Sequence, residues 1–308
     1  MQLPKTHQSP KNWKRWLFEH TPQIVLIPTI AVTLIYVVVF TLWTVWISIS
    51  NSTLLPDMSY GGFGEYVALW KSKRWTVAYQ NLFIFGSLYL VGSLIVGTVL
   101  AILIDQRVRA EGMWRTIYLY PLAISFIVTG TVWRWIYHPS TGVELALRDL
   151  GWLAADFDWI TNRKMALYVI VITAIWHASG FAMALILAGL RSVDGDLVKA
   201  AQIDGASMSR TYRKVILPTI WPIFLAVAIV LLQFAIKTYD LVLALTQGGP
   251  GIATTVPAIV VFDLMFQRGQ IAQGAAAAVM ILVAIAAILI PYTIFISWRR
   301  RREGDQHG

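Results

Sequence analysis

Residues 199–218 read KAAQIDGASMSRTYRKVILP, a polar and basic stretch inside a 308-residue chain that is 57% hydrophobic. Just before it, Asp194 or Asp196 can cap a short helix on which Leu197, Ala200 and Ala201 fall at i, i+3 and i+4. That spacing gives a narrow stripe of small apolar side chains, which lets another surface come close. Gly205 can then adopt a backbone conformation closed to other residues and turn the chain. Ser207 or Ser209 can cap a second helix, with Met208, Tyr212 and Val215 on one face and Arg210, Arg213 and Lys214 on another. Pro218 falls at or near the first turn of the next apolar run, where its missing N–H costs little. The pattern predicts helix, turn, helix. Two settings suit it, an elbow projecting from a membrane and an amphipathic hairpin lying among headgroups.

The flanking sequence supplies the membrane. Only 13% of residues are charged, against about 25% in soluble domains. Apolar runs near 23–48, 79–104, 117–138, 167–190, 219–245 and 271–297 approach or exceed the roughly 20 residues needed to cross hydrocarbon. The expectation is an all-α polytopic membrane protein with six transmembrane helices over 23–298, a tail over 1–22, a loop over 191–218 and a basic tail over 299–308. The first run is too long for a signal-peptide core and no small-residue cleavage pattern follows it, so it reads as an uncleaved anchor. One set of alternate connections carries 16 of the 25 lysines and arginines, which predicts that both termini and the 199–218 elbow are cytoplasmic. The net charge of +9 is thereby explained by residues flanking spans, with no contiguous groove-reading element, and nucleic acid is excluded as a partner. Tryptophans at 43, 46, 70, 75, 133, 135, 152 and 159 cluster at predicted interfaces as an aromatic belt. With no cysteine, disulfides and thiolate metal sites are ruled out.

The elbow resembles the cytoplasmic loop of ABC importer permeases, whose pattern is EAAxxDGAxxxxxFxxIxLP. Ala200, Ala201, Asp204, Gly205, Ala206, Leu217 and Pro218 match as they stand, Tyr212 and Val215 substitute for the aromatic and aliphatic positions, and Lys199 replaces the glutamate. The resemblance implies the type I importer permease fold, with Ala200, Ala201, Asp204, Gly205, Ala206, Met208, Tyr212 and Pro218 docking into a cleft on a cytoplasmic ATPase subunit. It further implies a second homologous permease, a dimer of ABC ATPase subunits that binds the ATP and Mg, a periplasmic sugar-binding protein, and residence among the lipids of a bacterial inner membrane. NLFIFGS at 81–87, PLAISFIVTGTVWRW at 121–135 and LTQGGPG at 245–251 resemble segments of carbohydrate permeases, those of glucose or mannose importers first and α-glucoside importers next.

Polar side chains inside a span tend to face a cavity or another helix. In QFAIKTYDL, Gln233, Lys237 and Asp240 fall at i, i+4 and i+7, which stacks an amide, an ammonium and a carboxylate on a single helix face. Sugar hydroxyls both donate and accept, so such a wall suits them. Pairing of Lys237 with Asp240 and of Gln233 with a neighbouring helix is the competing reading. The resemblance adds Thr238, since the corresponding segment touches sugar in related permeases. His177 with Ser179 lacks an acid at useful spacing and reads as a helix-interface histidine, while Arg134 reads as a side chain snorkelling to an interface. The run QGAAAAVMILVAIAA reads as close helix packing. GGFG at 61–64 lacks the lysine and hydroxyl of a phosphate-binding loop, and no such loop occurs elsewhere. This chain is therefore expected to bind no cofactor and to hydrolyse no ATP. An ion-coupled secondary transporter would show repeats and intramembrane acids, and a membrane enzyme would need convergent catalytic groups. Neither reading explains the elbow.

Overall fold

A computed structural model describes residues 12–106, 108–152 and 159–304. In chain order the helices are α1 (Asn12–Ser48), α2 (Gly64–Lys71), α3 (Lys73–Asp105), α4 (Glu111–Ala123), α5 (Phe126–Ile136), α6 (Val143–Asp149), α7 (Ala166–Arg191), α8 (Gly195–Ile203), α9 (Met208–Thr219), α10 (Trp221–Ile236), α11 (Tyr239–Leu245), α12 (Pro257–Gln267) and α13 (Ile271–Gly304). A single antiparallel bridge, Ser50 to Tyr60, is the extended pairing among the described residues. Helix dominates because hydrocarbon offers no partner to a backbone N–H or C=O, and a helix pairs them internally. Leu26–Ser48, Lys73–Asp105, Ala166–Arg191 and Ile271–Ile294 are each long and apolar enough to cross a membrane; two bent pairs raise the number to six if each pair is one span.

One compact unit comprises residues up to Glu65 together with those from Gln270 onward. Here α1 packs against α13, and the Ala272 amide donates to Ser52 O at 3.0 Å. The connection after α1 is pinned by its own polar groups. Ser52 Oγ donates to Asp57 O at 2.9 Å, and the Ser59 amide donates to the Asp57 carboxylate at 2.9 Å. Only 6% of the apolar segment of α1 is buried, so its side chains are left for lipid or another chain.

The second unit, Tyr66–Gly269, is built around α3 and α7. On α3, Trp75, Ala78, Asn81, Phe85, Tyr89, Ser93, Gly97, Ala101 and Ile104 are buried, recurring every three or four residues as one helical face. On α7, 67% of the apolar segment is buried, making it the central helix. Small residues permit the close approach. A Cβ on Gly97 would lie 2.6 Å from the Ala182 Cβ, and one on Gly180 would collide with the Tyr118 carbonyl oxygen of α4.

The predicted third and fifth spans are not straight. The third is α4 and α5, bent by 100° where Ile124 and Ser125 are extended. Pro121 sits in the last turn of α4, and Ser125 Oγ accepts from the Val128 amide at 3.4 Å to cap α5. The fifth begins at a bend of 68° between α9 and α10, at Ile220, which leaves the helical region. Pro218 and Pro222, four residues apart, each lack the N–H that would continue the ladder. Pro218 therefore lies near the end of α9, at the first turn of its last helical segment and just ahead of Trp221, where α10 begins, which is close to the place the sequence indicates. The turn before it, Tyr212–Ile216, is π-helical, and this wider turn is how the helix meets a proline without breaking. The chain breaks again after Ile236, so the predicted span 219–245 ends as a separate short helix, α11.

Candidate functional site

The elbow forms as the sequence indicates, and its turn is specified by backbone. Asp194 Oδ1 accepts from the Asp196 amide at 2.9 Å and caps α8. At the other end Gly205 has φ +77°. Its amide donates to Gln202 O at 3.0 Å while the Ala206 amide reaches back to Ala201 O at 3.0 Å. This is the paired capping arrangement that requires a left-handed residue after the helix. A Cβ on Gly205 would meet nothing within 4 Å, so glycine is demanded by its dihedral angle and not by space. Ser207 stands at the N-cap position of α9 without a side-chain capping bond.

α8 buries none of its residues, and Ala200, Asp204 and Gly205 are exposed, with Ala201 and Ala206 half-buried. Three apolar side chains stand out around the turn: Ile203 is 86% exposed, Leu197 49% and Met208 48%. Lys199, which replaces the glutamate of the loop pattern, bonds Asp196 Oδ1 at 2.9 Å on the surface. Such an exposed pair contributes little to stability, so its ammonium is available to a partner.

The base of the elbow is fixed. Tyr212 is buried, and its hydroxyl donates to Asp105 Oδ2 at 2.5 Å and accepts from Gln106 Nε2 at 3.5 Å. Asp105 ends α3. Arg191, at the end of α7, lies 3.8 Å from Asp105 Oδ1 through Nε and 2.9 Å from Glu111 Oε1 through Nη1; Arg115 approaches the same Glu111 oxygen at 3.6 Å. One polar chain thus joins α9 to the ends of α3 and α7 and the start of α4. Individually these partly exposed pairs are weak, but the short bond from a phenol to a carboxylate is charge-assisted and stronger. Asp105, Glu111 and Arg191 escape sequence reasoning as a set, because contacts over such separations leave no local pattern. The signal that could have found them is the placement of two acids and an arginine at ends of apolar runs.

The predicted polar wall is rearranged. Because the helix breaks at Lys237 and Thr238, Gln233 lies on α10 and Asp240 on α11, and continuous i, i+4, i+7 stacking does not occur. All three charged or amide side chains are exposed, and none has a side-chain partner among the described residues. The Lys237–Asp240 pair anticipated as the competing reading does not form there. Thr238 is buried and its hydroxyl turns inward to Ala235 O, which removes it from any wall. The following TQGGPG loop is held rigidly. Thr246 and Thr254 hydroxyls bond at 2.7 Å, and Asn81 Nδ2 donates to Ala253 O and Thr255 O, each at 2.9 Å. Asn81, a buried amide in an apolar helix, is the readable clue to that anchor.

His177 is buried between α5 and α7, with Nδ1 3.3 Å from the Thr129 hydroxyl and its ring 4.4 Å from Phe126, a packed interface histidine. Arg134 is exposed in the last turn of α5. Among the described residues no three His, Cys, Asp or Glu converge as a metal site.

Residues 94–302 match the family model described as binding-protein-dependent transport system inner membrane component. A probable ABC transporter permease of Pyrococcus horikoshii is 37% identical over 271 residues, 87% of this chain and 92% of that protein. The xylose/arabinose import permease of Haloferax volcanii is 32% identical over 242 residues, 78% and 76% of the two chains. A solved bacterial ABC transporter for import of the acidic polysaccharide alginate superposes with TM-score 0.77 at 22% identity, over 94% of this chain and 99% of that one; at this identity the likeness speaks for the type I permease fold. The chain belongs to the family of inner membrane components of binding-protein-dependent transport systems, the permeases of ABC importers.

Proposed function

We propose that this permease is one of two homologous subunits lining the path of an ABC sugar importer. A periplasmic binding protein delivers the sugar to the outer loops, 49–78 and 139–166 included. A dimer of separate ATPase subunits, holding ATP and Mg, drives alternating access from the cytoplasmic side, where both termini lie. The single observation that carries this reading is the elbow: an exposed apolar turn set by Gly205, on a base tied through Tyr212 to Asp105, Arg191 and Glu111. Force on Ile203 and Met208 would reach α3, α4 and α7 together, because bonded helix ends move as a body. Sugar as cargo is supported by a relative named for xylose/arabinose import, and by segments resembling permeases of glucose, mannose and α-glucosides. Gln233, Lys237 and Asp240 are the side chains we assign to the path.

The test is uptake into proteoliposomes holding the two permeases with and without the ATPase subunits, against a panel of glucose, mannose, maltose and xylose. Uptake of at least one sugar that requires both ATPase and binding protein is the expected result. Full transport without the ATPase, driven by an ion gradient, would replace the reading with a secondary transporter.

A further inference from the structure

Three cations of the elbow have no role in the coupling just described. Arg210, Arg213 and Lys214 are exposed, and none makes an ion pair or side-chain hydrogen bond among the described residues. With Gly205, Ser207 and Ser209 they line a cavity of about 590 Å³. No carboxylate lines it. Like charges three and four residues apart on a helix repel, and here they converge on one space beside two hydroxyl donors. That is the chemistry of an anion site, and of a phosphate in particular, which accepts from guanidinium forks and hydroxyls at once.

A second cavity, of about 370 Å³, adjoins the first. It shares Ser209 and Arg213 and continues over Ile102, Met208, Tyr212 and Leu217, so its walls turn from polar to mainly apolar. A free anion would fill only the first space and leave the second facing water. A molecule with an anionic head and a hydrocarbon tail satisfies both. Basic pockets beside membrane helices attract anionic headgroups, each nearby cation adding to the binding.

We propose that the elbow holds an anionic phospholipid, its phosphate against Arg210, Arg213 and Lys214 and an acyl chain along Ile102, Met208 and Leu217. The site is separate from the proposed sugar path and shares Gly205 and Met208 with the surface assigned to the ATPase. It makes the inner end of α9 a place where headgroup charge acts on the importer.

The full-length chain, purified with its partner subunits, is placed in phosphatidylcholine nanodiscs containing graded phosphatidylglycerol, and retained lipid is read by native mass spectrometry after detergent exchange. The wild type is expected to retain phosphatidylglycerol over phosphatidylcholine. Arg210→Gln with Lys214→Gln is expected to weaken retention about fivefold per cation removed, and Arg210→Lys to preserve most of it. Inorganic phosphate added alone should not displace the lipid. Equal retention of the two lipids, or undiminished retention in the double variant, overturns the proposal. Displacement by inorganic phosphate assigns the site to a free anion, and cations covered by the ATPase with no lipid present assign it to an acidic protein surface; both also overturn it. Should the double variant fail to assemble, Lys214→Gln alone is read in the same way, with a fivefold loss expected and no loss counting against the site.

Discussion

At Gly205 the backbone and the side-chain volume can be separated, since a Cβ there meets open space while φ stands at +77°. Asparagine tolerates the left-handed region, alanine costs about 1–2 kcal/mol there, and β-branched residues cost more. The expected order of ATPase stimulation by loaded binding protein is Gly205 above Gly205→Asn, then Gly205→Ala, then Gly205→Val, with membrane assembly retained. Equal stimulation across the series would mean that the turn does not carry the coupling. Tyr212→Phe tests the base of the same elbow. It deprives Asp105 of a charge-assisted donor, a loss of about 1.5–3 kcal/mol for a hydrogen bond to a charged group, and it leaves the ring packed. Weaker stimulation and an unfolding temperature lowered by a few degrees are expected, since the Arg191–Asp105 contact at 3.8 Å is too weak to replace the lost bond; intact stimulation would detach the network from coupling. The glycine was legible from its place between two short helical patterns. The tyrosine was legible only as an aromatic position. Its partner Asp105 lies 107 residues away, and no spacing rule reaches that far.

Helices were legible where apolar runs are long and uninterrupted, as in α1, α3, α7 and α13, since the bilayer imposes both length and composition. Bends were not. The run 117–138 reads as one span because Ile124 and Ser125 are unremarkable residues in sequence, yet their extended backbone turns the chain by 100°. Pro218 and Pro222 advertise the 68° bend of the fifth run, but whether a proline opens, kinks or ends a helix depends on neighbours that re-satisfy the freed carbonyls. The core pairing rests on a different feature, the glycines that bring α7 against α3 and α4. At Gly180 the opposing atom is the Tyr118 carbonyl oxygen, and backbone yields less readily than a side chain. Gly180→Leu is therefore expected to destabilise the bundle by at least the 1–3 kcal/mol usual for overpacking, measured as a lower unfolding temperature in detergent. At Gly86 a Cβ meets nothing within 4 Å, and Gly86→Ala serves as the neutral control. A Gly180→Leu protein as stable as the control would place α4 farther from α7 than described.

Across the molecule, the position of Gln233, Lys237 and Asp240 relative to water decides whether a sugar path runs along α10 and α11. A charged side chain at the centre of a bilayer costs about 2.5–3.5 kcal/mol. Neither Lys237 nor Asp240 recovers that cost from an internal partner among the described residues. Two such charges beside an amide are stable where water or a polar solute reaches them, and under the proposed function that place is the path between the two permeases. The chain carries no cysteine, so Lys237→Cys introduces the single thiol of this chain, read on this subunit after the complex is separated. In the assembled importer that thiol is expected to react with a membrane-impermeant reagent and to be protected by transported sugar, while Lys237→Ala should raise the KM for uptake several-fold with assembly intact. Break geometry agrees with the expectation, since a helix interrupted at 237 and 238 is irregular backbone of the kind tolerated within a membrane where it lines a cavity. A thiol that reacts only with lipid-soluble reagents, together with unchanged uptake kinetics, would turn this face toward lipid headgroups and move the sugar contacts to the partner permease.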